Sequence, residues 1–395
     1  MKIAFLLPGN IVAGGVYVAY QQAHYLAAAG YDVTIVFAST DHGLDVRGYP
    51  GFALETRALH EVIDRQTRFD VVLATWWETF YEMFAINAER HFYFCQSDER
   101  RFYASRADFE VPFVEKTYCD PRVGIVTEAR WIHHWLEDTY GATVEYAPNG
   151  IDTTQFHPGV TPLTPRGDRL RVLIEGPGSV AHKRVDLAYR VASRIPNIEL
   201  WYVSNDGVVH PSWRLTRTFK HVAFQDMPAI YASCDILLKL STVEGFFGPP
   251  LEMMACGGSV IVTKVTGHDE YIRPDQNALA VELDDEEAAH RALVRLVGDP
   301  TLRRRLATAG MATAQAMDWR DRSPLFAKAI QRLCERTQPM PAAARADYLV
   351  LDRLRQRASR HERRQAKLLS WPPVRALQAL NNWKGTWLTR GRFLR

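Results

Sequence analysis

The sequence predicts an α/β protein built of two parallel-sheet halves, followed by a basic helical C-terminal tail. Three observations carry that reading. Short apolar runs alternate with helical patterns from the first residues to about residue 317, the signature of repeated βαβ units. The length of 395 residues suits two domains of ordinary size. Glycine- and proline-marked loops recur at the carboxyl ends of the apolar runs, where open α/β sheets bind ligands.

The first half opens with the run KIAFLL at 2–7, closed by Pro8-Gly9-Asn10. A Gly14-Gly15 turn leads into a helix with Val18, Ala19, Ala23 and Leu26 at helical spacing, which Gly30 ends. A second strand is predicted at 32–38. Further strands are predicted at 70–74, 91–95, 122–127 and 143–146, and a helix at 128–140. Pro148 and Asn149-Gly150 mark a turn. The polar, proline-rich segment TPLTPRGD at 161–168 reads as an interdomain linker.

The second half repeats the design. Strands are predicted at 170–175, 198–203, 235–240 and 259–263. A helix headed by His182-Lys183-Arg184 runs through Ala192, and further helices cover 227–233, 286–298 and 300–317. The expected domains are therefore 1–160, 169–335 and a C-terminal extension, 336–395.

Composition narrows the class. Hydrophobic residues make up 47% of the chain, enough for real cores, and charged residues 24%, near the globular norm. The five cysteines (Cys95, Cys119, Cys234, Cys256 and Cys334) form no C-x-x-C pair. Neither a disulfide framework nor a zinc site is expected, and a cytoplasmic setting fits. The apolar N-terminus reads as a buried strand rather than a signal peptide. No apolar run reaches the length of a spanning helix.

The stretch EGFFGPPLEMMACGG at 244–258 concentrates the chemistry. Glu244 and Glu252 bracket two glycines and two prolines. A glycine-rich turn at a helix start aims backbone N–H groups at phosphate, and flanking acids can read sugar hydroxyls. The plain alternative is a capping acid plus a surface acid. Glu252 lies in an apolar run, however, and a buried acid needs a partner. Paired acids also occur in glycoside hydrolases, which need no anion cradle. Lys183 near a helix start can meet a diphosphate as a point charge, or be an ordinary surface lysine. Gly14-Gly15 can admit an anion or be a simple turn. No G-x-G-x-x-G follows the first strand, which argues against a dinucleotide. No D-x-D occurs, so no metal and no cofactor are expected. Phosphate charge falls to Lys, Arg and backbone N–H groups. Among the histidines, His268 stands out in a glycine-led loop after a strand.

These segments resemble the retaining GT-B glycosyltransferases of the family-4 type. EGFFGPPLEMMACGGSVIV looks like their E-x7-E signature. The Gly14-Gly15 loop and helix, YAPNGIDTTQFHP, HKRVDLAYRVA and TGHDEYIRPDQNALAV resemble four further family segments in the family's order, over residues 1–335. The resemblance implies a GT-B fold, two Rossmann-like domains facing across a cleft. It implies that Glu252 holds the donor ribose and Glu244 the transferred sugar. Phe246, Phe247 and Gly248 would offer N–H groups. Lys183, Arg184 and the Gly14-Gly15 loop would stabilise the leaving nucleoside diphosphate. Transfer would retain anomeric configuration without metal. Trp77, Asp98 and His268 become expected sugar or acceptor contacts. The implied partners are a nucleotide-sugar donor and a glycan or lipid-linked acceptor. FCQSDERRFY is similar to a subgroup that builds bacterial surface polysaccharides. One departure stands out: an arginine common about six residues before the lysine is replaced by Pro177. That keeps two other readings open, a binding or scaffold subunit with weak turnover and a nucleotide-sugar epimerase.

The tail is a separate electrostatic object. Residues 352–395 carry twelve Lys/Arg against two acids, Asp352 and Glu362, although the whole chain is only +3. Interleaved tryptophans suit an anionic membrane surface, on the inner face of the cytoplasmic membrane. No nucleic-acid reading motif is present. Deleting everything after Val350 is expected to leave the remainder folded and to weaken its sedimentation with anionic vesicles. Equal vesicle binding with and without the tail refutes the membrane role.

Overall fold

The computed structural model describes residues 1–10, 13–41, 54–103 and 108–369. It divides into a large unit, Met1–Pro341, and a second unit beginning at Ala342.

The large unit holds two parallel sheets. The first has β1 (Lys2–Gly9), β2 (Asp32–Ser39), β3 (Glu55–Ala58), β4 (Arg68–Ala74), β5 (Asn87–Cys95), β6 (Gly124–Thr127) and β7 (Val144–Tyr146), in the order β3-β2-β1-β4-β5-β6-β7. Its helices are α1 (Gly14–Ala28), α2 (Leu59–Asp64), α3 (Trp77–Glu82), α4 (Glu110–Lys116) and α5 (Arg130–Tyr140). The second sheet has β8 (Arg171–Glu175), β9 (Glu199–Ser204), β10 (Arg217–Lys220), β11 (Ile236–Lys239), β12 (Ser259–Thr263) and β13 (Leu279–Val281), in the order β10-β9-β8-β11-β12-β13. Around it lie α6 (Val185–Ser193), α7 (Met227–Ser233), α8 (Gly248–Ala255), α9 (Glu286–Gly298) and α10 (Pro300–Gln315). The strand order reverses between β1 and β4 in the first sheet and between β8 and β11 in the second. Crevices open at such switch points, beyond the strands' carboxyl ends.

Apolar strands form here because helices cover both faces. In the second sheet alternate residues feed two cores. Leu173, Trp201, Leu237 and Val260 pack with α8 on one face. Val172, Leu200, Ile236 and Ile261 pack with α6 and α9 on the other.

One helix lies outside the expected domain plan. The boundary at 335 assigns residues 319–335 to the second domain. Instead α11 (Trp319–Arg336) returns to the first sheet, and Phe326, Ala329, Ile330 and Leu333 enter its core beside Phe5, Phe92 and α1. The physical reason is the stripe of apolar residues at helical spacing, which completes a face of the first sheet. The chain therefore crosses between the halves twice, and the crossings touch. Ile151 N–H donates to the Met317 carbonyl at 2.8 Å and Trp319 N–H to the Ile151 carbonyl at 3.0 Å. A side-chain carbon on Gly150 would lie 2.8 Å from the Met317 carbonyl oxygen, so this approach needs glycine. The 161–168 segment rests on α7, with Leu163 N–H donating to the Ala229 carbonyl at 3.0 Å.

The second unit starts at Ala342 rather than 336 and contains the long helix α12 (Ala342–Leu369). Within it Arg355 pairs with Asp352 at 2.7 Å, one turn away. The expected breaker Pro372-Pro373 and the tail aromatics Trp383, Trp387 and Phe393 lie outside the described residues. Among the described residues, no helix is long and apolar enough to cross a membrane.

Leu333 is fully buried between α11 and the first sheet. Leu333→Ala is expected to cost about 2–5 kcal/mol in urea unfolding. A loss below roughly 0.5 kcal/mol, the range of neutral surface changes, would make α11 a peripheral attachment.

Candidate active site

The carboxyl end of β11 delivers Glu244 into the switch-point crevice of the second half. There its two carboxylate oxygens each accept a hydrogen bond from Lys183 Nζ at 2.9 Å. Glu244 is 8% exposed. Burial alone would push its carboxyl up, but Lys183 and Lys239 outweigh that and hold it below the usual carboxylate range. The ring of His182 borders the same pair. Burial and the Lys183 charge lower it to about 4, so it is neutral at physiological pH.

Lys183 does not head the helix as expected. It ends a 3-10 turn (Ala181–Lys183), and α6 starts at Val185. Between them Arg184 adopts φ 49°, which turns its guanidinium outward to Asp284 at 2.6 Å and Asp186 at 3.4 Å. Arg184, expected at the donor diphosphate, is thus paired with two carboxylates here.

Glu252, on α8, accepts from the Tyr231 hydroxyl at 2.9 Å. Burial pushes its carboxyl up to about 7, against the Tyr231 hydrogen bond. It borders a small cavity with Tyr17, Gly150, Ile151, Phe246 and Gly248. Residues of both halves therefore meet beside the second acid.

The two halves close on the loop between Glu244 and α8. A side-chain carbon on Gly245 would fall 1.7 Å from the Gln96 carbonyl oxygen, so only glycine fits. The Gln96 side chain in turn lies against Gly15 at the start of α1. Gln96 thus links the first half's glycine turn to the Glu244 loop. Gly14 meets no atom within 4 Å of a built side-chain carbon. Trp131 Nε1 donates to the Gly245 carbonyl at 3.0 Å, and Arg101 reaches the Thr242 carbonyl at 3.1 Å and Thr266 at 2.8 Å. Arg130 and Tyr146 both hydrogen-bond Glu270.

The expected N–H donors are partly engaged. Phe246 N–H donates to Glu128 Oε1 at 3.1 Å, and Gly248 N–H to the Phe246 carbonyl at 3.0 Å. Phe247 is buried, and the Tyr271 hydroxyl donates to its carbonyl. Two residues expected at the sugar or acceptor are engaged within the protein. Trp77 is 3% exposed because it faces the core, whereas its neighbour Trp76 is half-buried and stacks on Phe102. Asp98 is buried and caps and chelates Arg100, at 2.8 and 3.0 Å. His268 lies half-buried beside Gly267, its Nδ1 2.6 Å from the Val265 carbonyl oxygen.

Sequence reasoning missed Gln96, Glu128, Glu175 and Lys239. Lys239 is the instructive case. It is a lysine within the apolar strand run DILLKL, 2% exposed, and its ammonium contacts the Glu175 carboxylate and the Glu175 carbonyl at 3.0 Å. A charge inside a buried strand requires a partner, and that requirement was the available signal.

Residues 215–312 match the family described as Glycosyl transferases group 1. The lipopolysaccharide core biosynthesis glycosyltransferase LpsE of Rhizobium meliloti is 28% identical over 142 residues, 34% of this chain and 42% of that protein. The O-antigen chain mannosyltransferase B of Escherichia coli is 28% identical over 120 residues, 30% of each chain. The chain thus spans less than half the length of these curated relatives. Among solved structures, Anabaena HepE in complex with UDP-glucose superposes with a TM-score of 0.69 at 14% identity, covering 84% of this chain and 100% of that one. Sucrose-phosphate synthase of Thermosynechococcus elongatus gives 0.66 at 17%, covering 85% and 99%. WaaG, a glycosyltransferase involved in lipopolysaccharide biosynthesis, gives 0.64 at 15%, covering 82% and 98%. These likenesses identify the fold of residues 1–341 as GT-B, two Rossmann-like domains.

Glu128 provides a pH test of the closed contact. Besides Phe246 N–H, it accepts from Asn149 Nδ2 at 2.6 Å. Burial pushes its carboxyl up to about 8, against both hydrogen bonds. The folded form keeps a proton that the unfolded chain loses near about pH 4.3. Its stabilisation is therefore fully present below that value and is lost as pH rises toward about 8. Glu99, pushed up to about 8, and Glu252 act with the same sign. The thermal midpoint is expected to fall across this window, and Glu128→Gln, which mimics the protonated acid, to flatten the fall. An unchanged slope in the variant would show that Glu128 is already ionised in the fold.

Proposed function

We propose that this protein is a metal-independent, retaining glycosyltransferase that moves a sugar from a nucleotide-sugar donor to a glycan or lipid-linked glycan. The observation that carries the reading is the Lys183–Glu244 pair at the switch point of a GT-B second half, inside the segment that matches the group 1 family. The solved neighbour HepE of Anabaena is in complex with UDP in one structure and with UDP-glucose in another. The curated relatives act in lipopolysaccharide and O-antigen synthesis, which supports a place in bacterial surface polysaccharide assembly. A cytoplasmic enzyme held at the inner membrane face by its basic tail accords with lipid-linked acceptors.

In this reading Lys183 turns from Glu244 to the donor diphosphate and stabilises the charge that grows as the glycosidic C–O bond to phosphate breaks. Glu244 then faces the transferred sugar. Glu252, beside the cavity shared with Tyr17, holds ribose hydroxyls. The acceptor hydroxyl attacks from the side of the leaving phosphate, which takes its proton, and configuration is retained. The charge on phosphate is met by lysine and backbone N–H groups.

Thermal-shift screening of nucleotide sugars identifies the donor, because a bound ligand stabilises by mass action. With that donor, Lys183→Ala and Glu244→Ala are each expected to cut transfer about a hundredfold or more. Near-normal turnover in both variants overturns these roles. Donor binding with neither transfer nor donor hydrolysis across an acceptor panel would indicate a binding subunit. Release of an epimerised sugar without acceptor would indicate an epimerase.

A further inference from the structure

Three rings from three loops stand in a row that ends beside the Lys183–Glu244 pair. Trp76 precedes α3, Phe102 closes the 3-10 turn Glu99–Phe102, and His182 precedes Lys183. Trp76 stacks on Phe102 with centroids 5.8 Å apart and planes 17° from parallel, and Phe102 meets His182 at 5.4 Å and 30°. Trp77 next door is sealed in the core, but Phe102 is 36% exposed and Trp76 and His182 are half-buried. Polar contacts fix the row. The buried Glu99 carboxylate accepts from Trp77 N–H at 3.0 Å, which ties the start of α3 to the Phe102 turn. Trp76 N–H donates to Thr79 Oγ1 at 3.1 Å. In the second half, Thr242 N–H donates to the His182 carbonyl at 2.8 Å. Thr266, which Arg101 contacts, donates to the Glu244 carbonyl at 3.1 Å. The contacts that place Glu244 therefore also place the row.

We propose that Trp76 and Phe102 form a stacking subsite for a sugar ring of the acceptor. The proposal rests on the glycosyltransferase reading for the acceptor, but not for the binding of a saccharide. Aromatic surface left in contact with water is stabilised when an apolar face covers it. The face of an aromatic ring also carries partial negative charge. The C–H face of a pyranose is apolar and weakly positive, so it suits such a ring and leaves its hydroxyls at the rim. Glu78, half-buried in the first turn of α3, offers those hydroxyls a carboxylate. A nucleobase can also stack on aromatic rings. The proposed ribose contact, Glu252, instead borders a cavity lined by Tyr17, Ile151 and Phe246, apart from the row. A phosphate headgroup finds little free charge here. His182 is neutral, Arg100 is held by Asp98 and Glu115, and Arg101 reaches across to Thr242 and Thr266. The row thus recognises a neutral ring. It ends at the residue before Lys183, so a sugar stacked along it lies near the reacting pair.

The test is saturation-transfer NMR with the methyl glycosides of glucose, galactose, rhamnose and N-acetylglucosamine, each with UDP present. The native chain is expected to bind at least one of them, with transfer strongest at the ring C–H protons. In Trp76→Ala and in Phe102→Ala the affinity for that glycoside is expected to fall about tenfold, the order of a lost ring contact. Trp76→Phe, which keeps a ring, is expected to retain most of it. UDP affinity by calorimetry is expected to stay within about twofold in all three variants, as for separate sites, which also shows that they fold. Unchanged glycoside affinity in both alanine variants overturns the proposal, as does a native chain that binds none of the glycosides. A parallel loss of UDP affinity in Trp76→Ala would place the base on the row and overturns it too. A native chain that binds none of UDP, GDP or dTDP refutes the nucleotide-sugar reading instead. The glycosides, tested without nucleotide, still decide in that case whether Trp76 and Phe102 hold a saccharide.

Discussion

The arrangement of the second half depends on keeping one carboxylate charged out of water. Glu244 is nearly sealed from solvent, and an isolated ion there would neutralise itself. The lysines that prevent this come from two separate elements, the turn before α6 and the end of β11. Lys239 in turn needs Glu175 on β8. The result is two buried ion pairs, Glu175–Lys239 and Glu244–Lys183, at the strand-order reversal. The first forms when β8 and β11 are in register, the second when the 181–183 turn reaches the loop after β11.

The closing of the halves depends on small residues at the points of contact. Gly245 admits the Gln96 carbonyl, Gly267 leaves room for the Trp131 ring nitrogen, and Gly150 admits the returning chain at Met317. Around these approaches stand longer polar reaches, from Trp131, Arg101 and Arg130. The glycines set how near the halves come, and the long side chains fix their alignment. Phe246 N–H, expected to face a ligand, is held by Glu128 of the opposite half. The same atom therefore serves the contact between the halves.

Much of the fold was legible in the sequence, because parallel strands covered on both faces read as apolar runs bounded by turns. Met227–Ser233, Ser259–Thr263 and Glu286–Gly298 coincide with α7, β12 and α9. β10 (RTFK) was not legible: it is an exposed edge strand without an apolar face. Nor was α11, since Pro324 interrupts its start and its destination is a sheet more than a hundred residues upstream. At the site, the E-x7-E segment and Lys183 stood out by spacing. The pairing of Arg184 with Asp284 and Asp186, after a left-handed backbone angle, was not legible there. Nor were the burial of Trp77 and the pairing of Asp98 with Arg100, which depend on how the loops pack. Lys239 and Glu175 belong to strands whose apolar neighbours masked them.

The paired crossings at Ile151 and Met317–Trp319 have a mechanical consequence. One covalent connection between two bodies is a swivel, which allows them to tilt, twist and slide. Two connections laid side by side and hydrogen-bonded to each other remove the twist. The alignment that sets Gln96 against Gly245 and Glu128 against Phe246 is thus held at two neighbouring points of the chain, because the chain has come back.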